Sequence, residues 1–462
     1  MIRRRSDRKL INYPMLFKTM GWLVMIESAF MLFPIVVALI YHDDDWLGFS
    51  ISAVVTFLCG LIMTRRIHPR YSQMGRREGF FETMSGFTTT GATVIAADVP
   101  IDHGMHLWRA LTQWIGGMGI ILFTIAVVPM LNSSGGMQMF NAEVTGITHD
   151  KVRPRISQTA KMLWLTYISL TLLAFGCLWL GPMNWFDSLC HAFGTMSTGG
   201  YSSHPDGLNG FNSVYVYSII TLFMYLGGLN FGLLIRAVSG NVKALWRNEV
   251  WRAFTLCIFI MYICFAVNNL IMQGFDDWQL LTVKPLFQIV SMFTSTGYTV
   301  TGFASWGTVI LALMFVMMFI GGCAGSTSGG AKIDRIIFLA KYCRNEIIRC
   351  VHPNTITAVK LNGRVQPFPL VSKVVAFILL YILVIIVGAI IIMIFGEDLQ
   401  HSFFSAMSCV TNSGISAGDV FYSNDFSVFS EPAKCVLSLL MLVGRLEIYT
   451  ILILLTKAFW RR

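Results

Sequence analysis

The sequence predicts an all-α polytopic membrane protein: four helix–pore loop–helix repeats around one central pore, preceded by an N-terminal helix pair. Three observations predict it. The 462-residue chain is 55% hydrophobic and only 13% charged, about half the charge of a soluble chain. Apolar runs of about 20 residues, enough to cross the hydrocarbon core as a helix, recur along its length. Four short polar segments, each ending in glycine, interrupt them: Thr88-Thr89-Thr90-Gly91, Met196-Ser197-Thr198-Gly199, Thr294-Ser295-Thr296-Gly297 and Thr411-Asn412-Ser413-Gly414. Their glycines stand roughly a hundred residues apart, the mark of an internal repeat.

The elements follow in order. Residues 1–66 hold the helix pair, with apolar runs at 15–40 and 46–63. The first repeat, 67–150, has a pore helix at 80–87 and an inner helix at 108–131. Its outer helix is missing. The run 46–63 ends in Arg65, Arg66, Arg70, Arg76 and Arg77, an inner-face signature, and the pore helix that should begin outside follows directly. The second repeat, 151–248, is the most complete. It has an outer helix at 162–180, a re-entrant segment at 184–196 too short to span, an extended return at 197–201 and an inner helix at 214–235. The third, 249–365, runs from an outer helix at 253–272 through a pore helix at 284–293 to a broken inner helix. The fourth, 366–462, has helices at 371–395 and 433–455 flanking a pore helix at 398–410. Basic residues concentrate in alternate loops, at 3–9, 65–77, 151–155, 243–252, 332–364 and Arg461-Arg462. Positive-inside bias then puts both termini in the cytoplasm.

The glycine-ended segments carry the chemistry. A hydroxyl precedes every glycine (Thr90, Thr198, Thr296, Ser413), and a small polar residue precedes that (Thr89, Ser197, Ser295, Asn412). With Gly91, Gly199, Gly297 and Gly414 these residues predict a filter whose backbone carbonyls replace the water shell of a potassium ion. Non-helical backbone at membrane depth is tolerated only around water or inside protein, and four segments around one pore meet that condition. Glycine supplies the left-handed backbone angles such a turn needs. Each pore helix directs its partially negative carbonyl end toward the cavity.

Two further features predict a gate. Gly321, Gly322, Gly325, Ser326, Thr327, Ser328, Gly329 and Gly330 interrupt the third inner helix. Each glycine costs about 1 kcal/mol in a helix against alanine, so the stretch is a loop, either a flexible gate below the filter or a passive break. Arg445 lies inside the last apolar run, where a charge is costly and faces a water-filled cavity. It is expected beneath the filter as an electrostatic barrier, the alternative being a structural ion pair. Glu447, two positions on, lies on another helix face. His191 and His401, on pore helices, are expected to pack and hydrogen-bond rather than ligate.

Other classes are excluded or disfavoured. The net charge of +10 comes from the alternate loops and does not argue for nucleic acid. Ten cysteines show no Cys-x-x-Cys or metal spacing and behave as small hydrophobes. No catalytic carboxylate pair, His-Glu-x-x-His or nucleophile elbow appears, so no enzyme is expected. No Gly-x-Gly-x-x-Gly turn marks a nucleotide domain, and no organic cofactor is expected; potassium is the transported ion.

The chain resembles the Trk/Ktr superfamily of potassium uptake proteins, specifically the Trk-type membrane subunit. The resemblance rests on Phe81-Glu82 through Thr88-Thr89-Thr90-Gly91-Ala92-Thr93, on Gln113-Trp114-Ile115-Gly116-Gly117-Met118-Gly119, on Gly321-Gly322-Cys323-Ala324-Gly325-Ser326-Thr327 and on Gly444-Arg445-Leu446-Glu447. It implies potassium uptake across a bacterial cytoplasmic membrane by a lipid-embedded homodimer with one pore per protomer. It also implies a cytosolic ring of nucleotide-binding regulatory subunits, for which basic loops such as 344–349 offer a surface. The chain departs from the family in lacking the first repeat's outer helix. The alternatives are a sodium- or proton-coupled, weakly selective cation transporter and a transport-inactive relative lacking one helix.

Overall fold

The computed structural model describes residues 24–25, 27–41, 46–64, 77–95, 103–119, 156–204, 207–273, 282–300, 306–355, 357–415 and 426–455. Most of the basic loops at 3–9, 65–77 and 151–155, the terminal Arg461-Arg462 and the second half of the apolar run 108–131 lie outside them. The described chain is helical apart from one two-stranded antiparallel hairpin, β1 (Lys360–Leu361) and β2 (Arg364–Val365).

Two compact units result, one comprising residues 1–75, 101–108 and 449–462, the other 76–100 and 109–448. The first unit holds α1 (Leu32–Tyr41) and α2 (Trp46–Thr64). The Ser28 hydroxyl donates to the Ala53 carbonyl at 2.8 Å, Tyr41 stacks on His103, and Gly104 fits against Ala38 and Phe49. Leu47, Ile51, Val54 and Phe57 point outward, a face suited to lipid and not to water.

The second unit holds the site. Its helices in order are α3 (Arg77–Phe87), α4 (His103–Met118, from Arg109 on), α5 (Ile156–Trp179), α6 (Trp185–Met196), α7 (Val214–Gly227), α8 (Phe231–Val238), α9 (Val242–Arg247), α10 (Glu249–Gln273), α11 (Val283–Phe293), α12 (Thr308–Ile320), α13 (Ile333–Val351), α14 (Phe368–Ile394), α15 (Leu399–Thr411) and α16 (Glu431–Arg445), with α17 (Ile448–Leu455) following α16. Among the described residues three helical stretches, Gln158–Trp179, Glu249–Ile271 and Pro369–Ile394, are long and apolar enough to cross a membrane. In α14 the buried face runs Val371, Val374, Ile378, Tyr381, Ile385, Ala389 and Ile392, while Leu379, Ile382, Leu383, Ile386 and Ile390 are exposed. Core spacing on one face and an apolar outer face belong to a helix with lipid behind it. Pro369 sits in the first turn, where its missing N–H costs nothing, and Gly396 at φ 96° ends the element.

Two helices expected to be continuous are broken. The run 214–235 splits into α7 and α8, bent by 104°. The break is stabilised locally and at distance. Asn230 caps α8 by accepting from the Leu233 N–H at 3.0 Å, its amide donates to Ala324 O at 2.7 Å, and Cys323 N donates to Gly228 O at 3.0 Å. The freed helix ends thus find partners in the 321–330 loop instead of in their own helix. The run 433–455 likewise splits after Arg445, with Glu447 in the left-handed region at φ 56°.

Candidate functional site

Four helices, α3, α6, α11 and α15, each end in the same turn. In every copy a non-glycine residue takes left-handed angles: Thr89 (φ 54°), Thr198 (φ 54°), Ser295 (φ 51°) and Asn412 (φ 54°). Such angles cost roughly 1–2 kcal/mol for a residue with a Cβ. The offset is a repeated pair of backbone bonds. The left-handed residue donates back three positions (Thr89 to Gly86, Thr198 to Thr195, Ser295 to Met292, Asn412 to Cys409), and its successor donates back five (Thr90 to Ser85, Gly199 to Gly194, Thr296 to Ser291, Ser413 to Ser408), all at 2.8–3.3 Å. This helix-terminating pattern satisfies carbonyls the helix leaves open.

Two residues after each left-handed one comes a glycine at positive φ: Gly91 (81°), Gly200 (80°), Gly297 (83°) and Gly414 (69°). The second copy therefore aligns one residue later than its hydroxyl suggests: Gly200 occupies the glycine position and Gly199 stands where Thr90, Thr296 and Ser413 stand elsewhere. The four glycines also touch. Gly91 abuts the Gly199 carbonyl oxygen, Gly200 that of Thr296, Gly297 that of Ser413 and Gly414 that of Thr90, so closely that a methyl group on any of them would overlap the oxygen. The contacts run from copy one to two, two to three, three to four and four to one. They close a ring. The sequence-expected residues Thr89, Thr90, Ser197, Thr198, Gly199, Ser295, Thr296, Asn412 and Ser413 are all buried in or beside it.

With the register set, a second equivalence emerges. Nine residues before each ring glycine lies a polar side chain: Glu82, His191, Gln288 and Ser405. His191 is equivalent to these and His401 is not. Glu82 accepts from Val94 N at 3.2 Å and pairs with Arg109 at 2.7 Å, and Arg109 lies 4.2 Å over the Tyr201 ring. His191 meets the Ser202 hydroxyl at 3.0 Å. In these two copies the side chain braces the extended segment after the glycine. Removing one partner of a buried pair typically costs 3–5 kcal/mol. Arg109→Met is therefore expected to lower the melting temperature of the detergent-solubilised protein by several degrees; an unchanged melting temperature would show that the pair contributes nothing.

Beneath the ring, against the carbonyl ends of the short helices, runs the loop 321–330. Gly330 N donates to Thr411 O at 3.0 Å, Gly329 N to the Ser295 hydroxyl at 2.5 Å, and the Thr327 hydroxyl to Met196 O and Gly227 O, each at 3.1 Å. The loop thus engages copies two, three and four. Gly321, Gly325 and Gly330 lie at φ 74–77°, and Ser326 and Ser328 share a hydroxyl contact at 2.6 Å. Gly322 packs under Gly228 O. The first copy is reached by Arg445, whose guanidinium donates to Thr327 O at 3.2 Å, to Gly117 O at 2.9 Å and to Gly116 O. Glu447 pairs not with Arg445 but with Arg335 at 2.6 Å. Lys332, Arg335, Arg445 and Glu447 line a cavity of about 120 Å³, room for a few waters.

A signal for this lower layer lies in the sequence, beyond the four glycine-ended segments. Gly116-Gly117, Gly227-Gly228, Gly321-Gly322 and Gly444-Arg445 recur after each segment. Gly116 abuts Phe87 O and Gly444 abuts Val410 O, the carbonyl end of each copy's own short helix. Arg445 stands where the other three copies have their second glycine. Tyr381, from α14, adds a hydrogen bond to Val410 O at 3.0 Å.

Among the described residues no cluster of His, Cys, Asp or Glu is set to hold a metal. The oxygens gathered here are carbonyls and hydroxyls, neutral ligands of the kind that suit a weakly hydrated monovalent cation.

Fold and site define a multi-pass helical membrane protein in which four like turns meet in a closed ring of glycine–carbonyl contacts. The chain belongs to the TrkH family: the family model, described as a cation transport protein, matches residues 49–461. It is 35% identical to the Trk system potassium uptake protein TrkH of Escherichia coli K12, covering 98% of this chain and 100% of that protein. It is 30% identical to the same organism's TrkG over 96% of this chain and 97% of that one. The crystal structure of the potassium transporter TrkH from Vibrio parahaemolyticus superimposes with a TM-score of 0.84 at 31% identity, over 97% of this chain and 100% of that one. The Escherichia coli TrkH alignment occupies 488 positions against 462 residues here, so the relative carries residues without counterpart, enough in total for one membrane-crossing helix.

Proposed function

We propose that this protein moves potassium ions into the cell across a bacterial cytoplasmic membrane, through a filter made by the four glycine turns. The observation that carries the reading is the closed ring of glycine–carbonyl contacts. Four turns of one geometry, each crowding the next, set four backbone carbonyl oxygens around one closed ring, and a ring of carbonyls is what replaces a cation's water shell in a filter. The relatives' names, as potassium uptake proteins, support the choice of ion.

The loop 321–330 and Arg445 act as the gate. They lie against the carbonyl ends of the short helices and bridge all four copies, so an ion leaving the ring must displace them. Both termini are cytoplasmic, the protomer pairs with a second copy, and a cytosolic nucleotide-binding ring docks on the basic inner loops. The first repeat works without an outer helix of its own: only residues 65–76 separate α2 from α3, too few to span a bilayer.

The test is rubidium uptake into potassium-loaded proteoliposomes, parent beside Gly297→Ser. Uptake by the parent, with a lower preference for rubidium over sodium in the variant, is the expected result. An unchanged preference in a folded variant would sink the filter assignment, and a folded parent that takes up nothing would favour the transport-inactive reading.

A further inference from the structure

In three of the four copies the residue before the ring glycine carries a hydroxyl that meets the hydroxyl two positions earlier: Thr88 and Thr90 at 2.8 Å, Thr294 and Thr296 at 2.7 Å, Thr411 and Ser413 at 3.0 Å. Each clips its turn from within its own copy. The second copy cannot, because Gly199 has no side chain. Its turn is held instead from α4. The Gln113 amide donates to Gly199 O at 2.7 Å, and its oxygen accepts from Tyr201 N at 3.1 Å. The two bonds straddle Gly200. Gln113 is 0% exposed.

The two devices exclude each other. A methyl group at Gly199 would lie 2.6 Å from Gln113 Oε1 and 2.8 Å from Nε2, so the carboxamide fills the volume a hydroxyl side chain would need. Gly199 O is also one of the four ring oxygens, the one against Gly91. Among the described residues, the other three ring oxygens, on Thr90, Thr296 and Ser413, receive no such side-chain donor. A donated hydrogen bond draws electron density from a carbonyl and fixes its direction. Fit of the cavity and the field strength of its carbonyls are the two properties through which a filter discriminates among monovalent cations, and a hydrogen bond donated to one carbonyl acts on both.

We infer that Gln113 is a positioning residue that sets ion preference, by holding the Gly199 carbonyl as a weaker and stiffer ligand than its three counterparts. The inference rests on the filter reading. It is tested by rubidium uptake with sodium as competitor for Gln113→Leu, near-isosteric Gln113→Met and the double variant Gln113→Ala/Gly199→Thr, beside Gly297→Ser. Gln113→Leu is expected to change the rubidium-over-sodium preference roughly five- to tenfold, the scale of one buried hydrogen bond. The double variant, which supplies the hydroxyl clip of the other copies and no donor to the carbonyl at position 199, is expected to hold the turn and to show the same changed preference as Gln113→Leu. A merely structural role would lower thermal stability and leave the preference alone. Unchanged preference in folded Gln113→Leu, while Gly297→Ser shifts it, would overturn the inference. If the leucine variant does not fold, Gln113→Met decides by the same criterion, since it keeps nearly the same length and volume and loses the donor to Gly199 O. If Gly297→Ser also leaves preference unchanged, the filter reading falls, and this inference with it.

Discussion

Gly200→Ala is expected to cut rubidium uptake at least tenfold, and no change at residue 113 is expected to rescue it. Two independent costs meet at this position. Gly200 has φ 80°, and an alanine there costs roughly 1–2 kcal/mol. Its methyl group would also overlap the Thr296 carbonyl oxygen, which is backbone and has no rotamer to escape into. The overlap can be relieved only by moving the third copy's turn, and with it an oxygen of the ring. Gly199→Ala is different. The structure gives Gly199 no positive φ, and what its methyl would strike is the Gln113 side chain. Loss of uptake in Gly199→Ala should therefore be relieved by adding Gln113→Ala, and loss in Gly200→Ala should not. Uptake assays on the two single and two double variants check this. A rescuable Gly200 and an unrescuable Gly199 would restore the register read from the hydroxyl pattern.

The second large effect is expected at Arg445. Arg445→Ala should raise uptake several-fold. Its guanidinium bonds to Thr327 O, Gly117 O and Gly116 O, so it fastens the loop to the first copy. It also sets a positive charge beside the cavity under the ring. At an effective dielectric of about 20, a unit charge opposes a cation by about 4 kcal/mol at 4 Å and about half that at twice the distance. Glu447, two positions on, is held by Arg335. Arg445→Lys separates the two contributions: it keeps the charge and loses the planar fork that reaches several carbonyls at once. Faster uptake in both variants would assign the effect to the fastening, and faster uptake in alanine alone to the charge. Unchanged or slower uptake in a stable Arg445→Ala protein would count against any barrier at this site.

The sequence made most of the membrane architecture legible. Composition and 20-residue apolar runs are enough for a polytopic helical chain, because lipid imposes its length on any helix that crosses it. The short helices were readable too: Asn184 and Asp398 cap α6 and α15 where the amphipathic runs begin. Three things were not readable. The register of the second copy was hidden because Thr198-Gly199 matches the hydroxyl–glycine pattern, while the deciding contact comes from Gln113, 86 residues earlier. The break between α7 and α8 was hidden because Gly228 and Asn230 lie in an apolar run, and the groups that compensate for the broken helix belong to the 321–330 loop. The Gly-Gly series ending in Gly444-Arg445 was present in the letters, but its meaning depends on which carbonyl each glycine meets.

By itself, then, the sequence determined an all-α, multi-pass membrane chain with four glycine turns, a glycine-rich break and an arginine, Arg445, deep inside the last apolar run. These are local properties, set by hydrophobicity over a span and by backbone freedom at a glycine. Tertiary structure decided which glycine of the second copy enters the ring, where the inner helices break and which carbonyls Arg445 holds. Each of those outcomes depends on a hydrogen bond or steric contact between residues far apart in the chain, and no local pattern encodes such a pairing.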